Sequence, residues 1–348
     1  MIVLIGPTGE TARRILAQAR AAGVEMRLVA RNVAGASARL GSLVDGYAMT
    51  QADATDPSSV AKTLEKGDVL INATTPAGQL GHGLARAAIS AGAHYVAFTG
   101  EVVDGLKMLW ELDGAAREAK VTLCPGAGSS GAVNDLAIRL ALRQLPDATD
   151  GFMGAAVTGF TASYGTMLSA IHIMNGPGVV VRDGALVTED VSGLIFRRNG
   201  ATFVERPLID TLMVSSYSYF RNLRAGIEVP DEAADEVSRV FRDTADMMKS
   251  AKRQAEYLET IAASAGNDIP ENDASPEGTR IGMVWNGDGA AQVTLSARPV
   301  YELTARAALF TARELAEGGE RPSGFQAVST IARSLDEALS ALGSRILP

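Results

Sequence analysis

The chain opens on Ile2-Val3-Leu4-Ile5 and turns at once through Gly6-Pro7-Thr8-Gly9-Glu10-Thr11-Ala12. An apolar stripe at Ile15, Leu16, Ala19 and Ala22 follows and stops at Gly23. A short apolar run, a glycine turn and a 3.6-residue periodicity predict a strand, a tight turn and a helix. A second apolar run, Met26-Arg27-Leu28-Val29-Ala30, comes next. The whole has the length and order of a right-handed parallel crossover. This start restricts the chain to folds built on a parallel sheet.

The rhythm continues. Strands are expected at Tyr47–Ala52, Asp68–Thr74, His94–Phe98 and Val121–Cys124, and helices at Ser58–Lys66, Leu80–Ala91 and Leu106–Ala119. Alternation of this kind means a sheet covered by helices on both faces, an α/β fold of the Rossmann-type, doubly wound kind. Beyond about residue 150 the pattern changes. Gly151–Phe160 alternates like a strand, Thr166–Met174 reads as a helix, and Val179–Val187 reads as a hairpin around Asp183-Gly184. Asp231 to about Ala265 is a long charged helical pattern, and Arg280–Trp285 with Ala291–Ala297 form a second hairpin. A second α+β domain on a mixed or antiparallel sheet is expected. The boundaries are 1–130 for the nucleotide domain and 131–300 for a substrate and dimerisation domain. Helices are expected at Tyr301–Gly318 and Phe325–Leu342.

The chemistry lies in the first turn, a G-x-x-G-x-x-A pattern. Gly6 permits the turn, Gly9 lets the backbone approach a pyrophosphate, and Ala12 lets the helix pack on the sheet. The N–H groups of Glu10, Thr11 and their neighbours face the anion, and the Thr8 and Thr11 hydroxyls add donors. At the end of the second strand an acidic residue would accept from the ribose 2′-hydroxyl of NAD. Arg31-Asn32 stands there instead, and a guanidinium suits a 2′-phosphate, so NADP(H) is expected. Asp53 is a candidate for the adenine amino group and reads equally well as a turn signal. The fourth strand ends in Ala73-Thr74-Thr75-Pro76, a tip that a doubly wound sheet places beside the ribose and nicotinamide.

Length and composition exclude other classes. The 348 residues suffice for about two domains. With 32 Lys and Arg against 40 Asp and Glu, a net charge of −8 and no basic block, a nucleic-acid binder is not expected. No apolar run approaches the roughly 18 residues of a spanning helix, so no membrane partner is expected. One cysteine, Cys124, excludes an intrachain disulfide and reads as a small buried hydrophobe. Three histidines leave few ligands for a transition metal, and no metal is expected. Met1 to Ile5 run directly into the glycine turn without a signal segment, which makes a cytoplasmic protein the expectation.

Several stretches together resemble a known family: Gly6-Pro7-Thr8-Gly9, Leu28-Val29-Ala30-Arg31-Asn32, Val69-Leu70-Ile71-Asn72-Ala73, and Ala91-Gly92-Ala93-His94-Tyr95-Val96-Ala97-Phe98-Thr99-Gly100-Glu101. They are similar to the saccharopine dehydrogenase-like superfamily, including its trans-acting enoyl reductase branch. The resemblance covers the first 135 residues well and the rest thinly, and it implies that the C-terminal helices, about 301–348, pack back onto the nucleotide domain. It implies an NADPH-dependent oxidoreductase that reduces a polarised double bond of a small or medium metabolite. That bond is either the C=N of an imine, which is favoured, or a conjugated C=C, in specialised metabolism. Two departures stand out: Pro7 where relatives often carry alanine, and Ala77 after Pro76 where they often carry an aromatic. The second opens space where the substrate is expected.

Hydride transfer needs alignment and at most one general acid. The tyrosine-to-lysine relay of short-chain reductases is absent, since Tyr257 is followed four residues on by Ile261 and Tyr217 by Arg221. Glu101, just past the fifth strand, is the first candidate acid, Tyr95 is another, and Tyr164 and His172 are expected on the second domain. A homodimer is a further expectation. The competing reading is an NADP-binding redox sensor or a redox-neutral enzyme on the same fold.

Overall fold

The computed structural model describes residues 1–156, 162–264 and 277–348. In chain order the first elements are β1 Ile2–Ile5, α1 Glu10–Ala21, β2 Met26–Ala30, α2 Val33–Leu40, β3 Ala48–Gln51, α3 Pro57–Ala61, β4 Val69–Asn72, α4 Ala77–Ala91 and β5 His94–Ala97. Then come α5 Val102–Lys107, a π turn at Met108–Leu112, α6 Asp113–Glu118, β6 Thr122–Cys124 and α7 Gly131–Gln144. The middle of the chain carries β7 Asp150–Ala156, α8 Tyr164–Asn175, β8 Gly178–Arg182, β9 Ala185–Glu189, β10 Ile195–Arg198, β11 Ala201–Glu205, α9 Asp210–Ser215 and β12 Asn222–Val229. It continues through α10 Ala234–Met248, α11 Ala251–Ser264, β13 Gly278–Trp285 and β14 Ala290–Ala297. The last elements are α12 Val300–Ala316, β15 Gly324–Phe325, α13 Val328–Ile331, α14 Leu335–Leu342 and β16 Ile346–Leu347.

The first compact unit comprises Met1–Thr99, Asp104–Ala132 and Val300–Leu342. Its seven strands run in the order β15-β6-β5-β4-β1-β2-β3, every pair parallel. Order reverses between β1 and β4, the switch point at which doubly wound sheets bind ligands. β1 and β4 are buried at every position, as strands covered on both faces must be. Helix α12 packs on α1 and over β4 and β5.

The second unit comprises Gly100–Val103, Val133–Pro299 and Gly343–Pro348. Its mixed sheet runs β10-β11-β12-β7-β13-β14-β16, with β12 and β7 parallel and a β8–β9 hairpin joined to β12. Helix α7 lies so close to one face that a Cβ on Gly282 would sit 2.4 Å from the Ala137 backbone. On the other face Phe152, Phe203, Ile281 and Met283 form a core, with Phe196 and Trp285 against it.

Several boundaries differ from the sequence reading. The stretch 106–119 is interrupted by the π turn. The charged stretch after Asp231 is two helices, because the Ser250 hydroxyl and carbonyl accept from Arg253 and Gln254 and start a new helix. Phe325 lies in a strand: Gly324 and Gln326 donate to the Val121 and Leu123 carbonyls of β6 and its flank. Residues 343–348 join the second unit, since β16 pairs with β14. Strands β10 to β12 carry no element in the sequence reading. The end of the strand expected over Gly151–Phe160 lies outside the described residues, as does Ala265.

Candidate cofactor and active site

Gly6 leaves β1 with φ +78°, a conformation that favours glycine, and a Cβ there would lie 3.0 Å from the carbonyl carbon and oxygen of Ala73. Gly9 is the N-cap of α1 and supplies no side-chain cap, so the first-turn N–H groups have no side-chain acceptor there. The nearest atoms to a Cβ on Gly9 would be 3.8 Å away, which leaves room in front of the helix end. Glu10 would bring unwelcome negative charge to an anion site, but Arg14 neutralises it from the next turn at 2.8 Å. Thr8 and Thr11 are half-buried beside it.

At the end of β2, Arg31 and Asn32 are exposed. The Asn32 side chain accepts from the Gly35 N–H at 2.9 Å, so its carbonyl is spent on capping α2. Asp53 follows β3, and its Oδ1 accepts from the Thr55 N–H and hydroxyl at 2.9 and 2.8 Å. Those bonds hold its carboxyl below the usual range, and the Arg31 charge adds to the effect. Arg31 and Asp53 thus lie near one another at the carboxyl ends of adjacent strands.

Ala73, Thr74, Thr75 and Pro76 form the tip of β4, directly beside the β1 turn across the switch point. Thr74 donates both its N–H and its hydroxyl to Asn72 Oδ1, at 2.9 and 2.7 Å.

The four candidate acids divide between the units. Tyr95 is fully buried in the first, on β5, where burial pushes its phenol well above its ordinary value. Glu101, Tyr164 and His172 belong to the second. Glu101 is 3% exposed and its Oε1 accepts from the Ser169 hydroxyl on α8 at 3.1 Å. His172 lies one turn beyond Ser169 and is half-buried, while Tyr164, at the start of α8, is 43% exposed.

Residues 2–124 match the family model described as saccharopine dehydrogenase NADP binding domain. They are thus similar to a family of NADP-binding domains. The chain is similar in fold to apo saccharopine dehydrogenase (L-Glu forming) from Saccharomyces cerevisiae. The match is at 14% identity and TM-score 0.58, over 100% of this chain and 99% of the yeast one. A WlbA (WbpB) dehydrogenase from Thermus thermophilus, solved with NAD and UDP-GlcNAcA, aligns at 13% identity over 98% and 92% of the two chains, with TM-score 0.41. No curated protein sequence matches the chain.

The residues of this NADP-binding domain fit its cofactor. A pyrophosphate needs a helix end open to an anion and a turn without a Cβ, and Gly6 and Gly9 meet both needs. A 2′-phosphate needs an accessible cation at the end of β2, and Arg31 is one. Outside the NADP-binding domain the sequence reading missed a buried polar group. Asn134 on α7 donates to Asp210 on α9 at 2.5 Å, both 1% exposed or less. Burial raises the Asp210 carboxyl and pushes the Arg280 guanidinium down to about 10, and the neighbouring Arg206 is lowered as well. Asn134 and Asp210 are 76 residues apart, and only the packing of α7 on the second sheet brings them together. Among the described residues no cluster of three His, Cys, Asp or Glu could hold a metal, and no helix is long and apolar enough to cross a membrane.

Proposed function

We propose that the protein is an NADPH-dependent reductase of a polarised double bond, either the C=N of an imine or a conjugated C=C, in a small or medium metabolite. The observation that carries this reading is the match of residues 2–124 to an NADP-binding domain; within the second unit, the buried Glu101 carboxyl, which accepts from the Ser169 hydroxyl on α8, is the candidate acid. NADPH, when bound, supplies a hydride to the electrophilic carbon. The chain's own residues then have two tasks. The glycine turn and the first-turn N–H groups of α1 hold the pyrophosphate, Arg31 faces the 2′-phosphate, and Thr74 and Thr75 at the β4 tip border the ribose and nicotinamide. Glu101 in its carboxylic acid form, oriented by the Ser169 hydroxyl on Oε1, delivers the proton that the reduced nitrogen or α-carbon requires and is reprotonated from solvent before the next turnover. His172 and Tyr164, on the same helix as Ser169, orient the acceptor.

The experiment follows loss of NADPH absorbance against cyclic imines, pairs of keto acid and amine, and enoyl thioesters, with NADH in parallel. Turnover with one class names the bond. Tight NADPH binding with no turnover across the panel would overturn the reductase reading in favour of a sensor or a redox-neutral enzyme.

A further inference from the structure

Tyr95 and Asp104 have no task in the scheme above, yet both are almost fully enclosed in the first unit, at 0% and 1% exposure. Tyr95 stands on β5 beside β4, two strand positions from the level of Asn72. The Asn72 amide donates to the Tyr95 hydroxyl at 3.0 Å. Its other end, Oδ1, accepts both the N–H and the hydroxyl of Thr74. A threonine whose hydroxyl is held has its χ1 fixed and its methyl aimed by default. Here the Thr74 methyl is aimed at the glycine turn, 3.1 Å from where a Gly6 Cβ would be. The chain of contacts therefore runs from the interior of the sheet to the wall of the pyrophosphate turn.

The far end is anchored as well. The Asp104 carboxylate lies against α4 so closely that a Cβ on Gly81 would be 2.3 Å from its Oδ2, and its charge adds to the burial that keeps Tyr95 protonated. A phenol in that setting is a poor acid for substrate and a dependable acceptor for Asn72.

We propose that Tyr95 is a positioning residue for NADP(H): acting through Asn72, it locks Thr74 and with it the wall of the turn that receives the pyrophosphate. This rests on the NADP-binding assignment of residues 2–124 and is independent of the reaction catalysed. The bond from Asn72 to Tyr95 is between neutral groups that are both enclosed by protein, so its loss frees the Asn72 amide to turn.

The test is a fluorescence titration with NADPH of wild type, Tyr95→Phe, Asn72→Ala and the double variant, with apo melting temperatures alongside. Each single substitution is expected to raise Kd about tenfold. The double variant is expected to bind no more weakly than Asn72→Ala alone, because both remove one chain of contacts. A purely structural tyrosine would lower the melting temperature and leave Kd within twofold, which would overturn the proposal. Effects that multiply in the double variant would overturn it too, by giving Tyr95 a route other than Asn72. If Tyr95→Phe does not fold, Asn72→Ala decides alone, with an unchanged Kd as the overturning result. Wild type that fails to bind NADPH at all would remove the cofactor assignment itself, a distinct failure visible in the same experiment.

Discussion

Arg224 on β12 donates through Nε to Glu205 on β11 at 2.9 Å, and Glu205 is only 1% exposed. Burial raises the Glu205 carboxyl from its ordinary 4.5 to about 7, against the opposing pull of Arg224. The folded protein therefore keeps a proton that the unfolded chain releases above about pH 4.5. Stability from this group is fully present below that pH, is lost as pH rises through 7, and changes little beyond. The loss amounts to about 3 kcal/mol at most. Glu205→Gln should remove the slope. Urea unfolding of both proteins at pH 5 and pH 8 checks this, and a wild type that gains stability against the variant on going to pH 8 would contradict it.

Gly6→Ala combines a left-handed backbone with a collision at Ala73. The turn must open, and NADPH Kd should rise more than tenfold while the circular dichroism spectrum keeps its native shape. Equal affinity in a folded variant would show that the turn is not the cofactor cradle.

Arg31 is exposed at the end of β2. A guanidinium there serves a 2′-phosphate and nothing in NADH, so Arg31→Ala should weaken NADPH by about 10- to 100-fold and NADH by less than about threefold. Parallel titrations decide it, and a uniform loss for both nucleotides would sink the assignment of Arg31.

Glu101→Gln keeps the shape of the side chain and removes its proton chemistry. Turnover on whichever acceptor proves active should fall about 100-fold or more, with NADPH Kd within twofold of wild type. Full activity in that variant would transfer the acid role elsewhere, with His172→Asn the next substitution to assay.

The nucleotide fold was readable because its signals are local. β1 and β2 are uninterrupted apolar runs between turn residues, and Gly6, Gly9 and Arg31 occupy contiguous stretches whose chemistry survives without tertiary information. The β8–β9 hairpin was equally plain, since Asp183 and Gly184 both take positive φ as an Asp-Gly turn requires. The same signal stood at Asn199-Gly200, also both at positive φ, between Ile195-Phe196 and Thr202-Phe203-Val204, and could have revealed β10 and β11. β15 is different in kind. Two residues carry no periodicity, and the strand exists only because β6 offers it an edge. The Asn134–Asp210 pair was illegible for a similar reason, as each residue alone is an ordinary helix-start polar residue.

The edge strand β15 and the helix that covers α1 both come from the last fifth of the chain. A ribosome that has made the first 299 residues has therefore released every cofactor-facing residue of the NADP-binding domain but not the strand and helix that finish its sheet. The buried faces of α1, β4 and β5 stay exposed until α12 emerges. Completion of the sheet around the nucleotide site thus depends on residues that follow the whole of the 133–299 stretch in sequence.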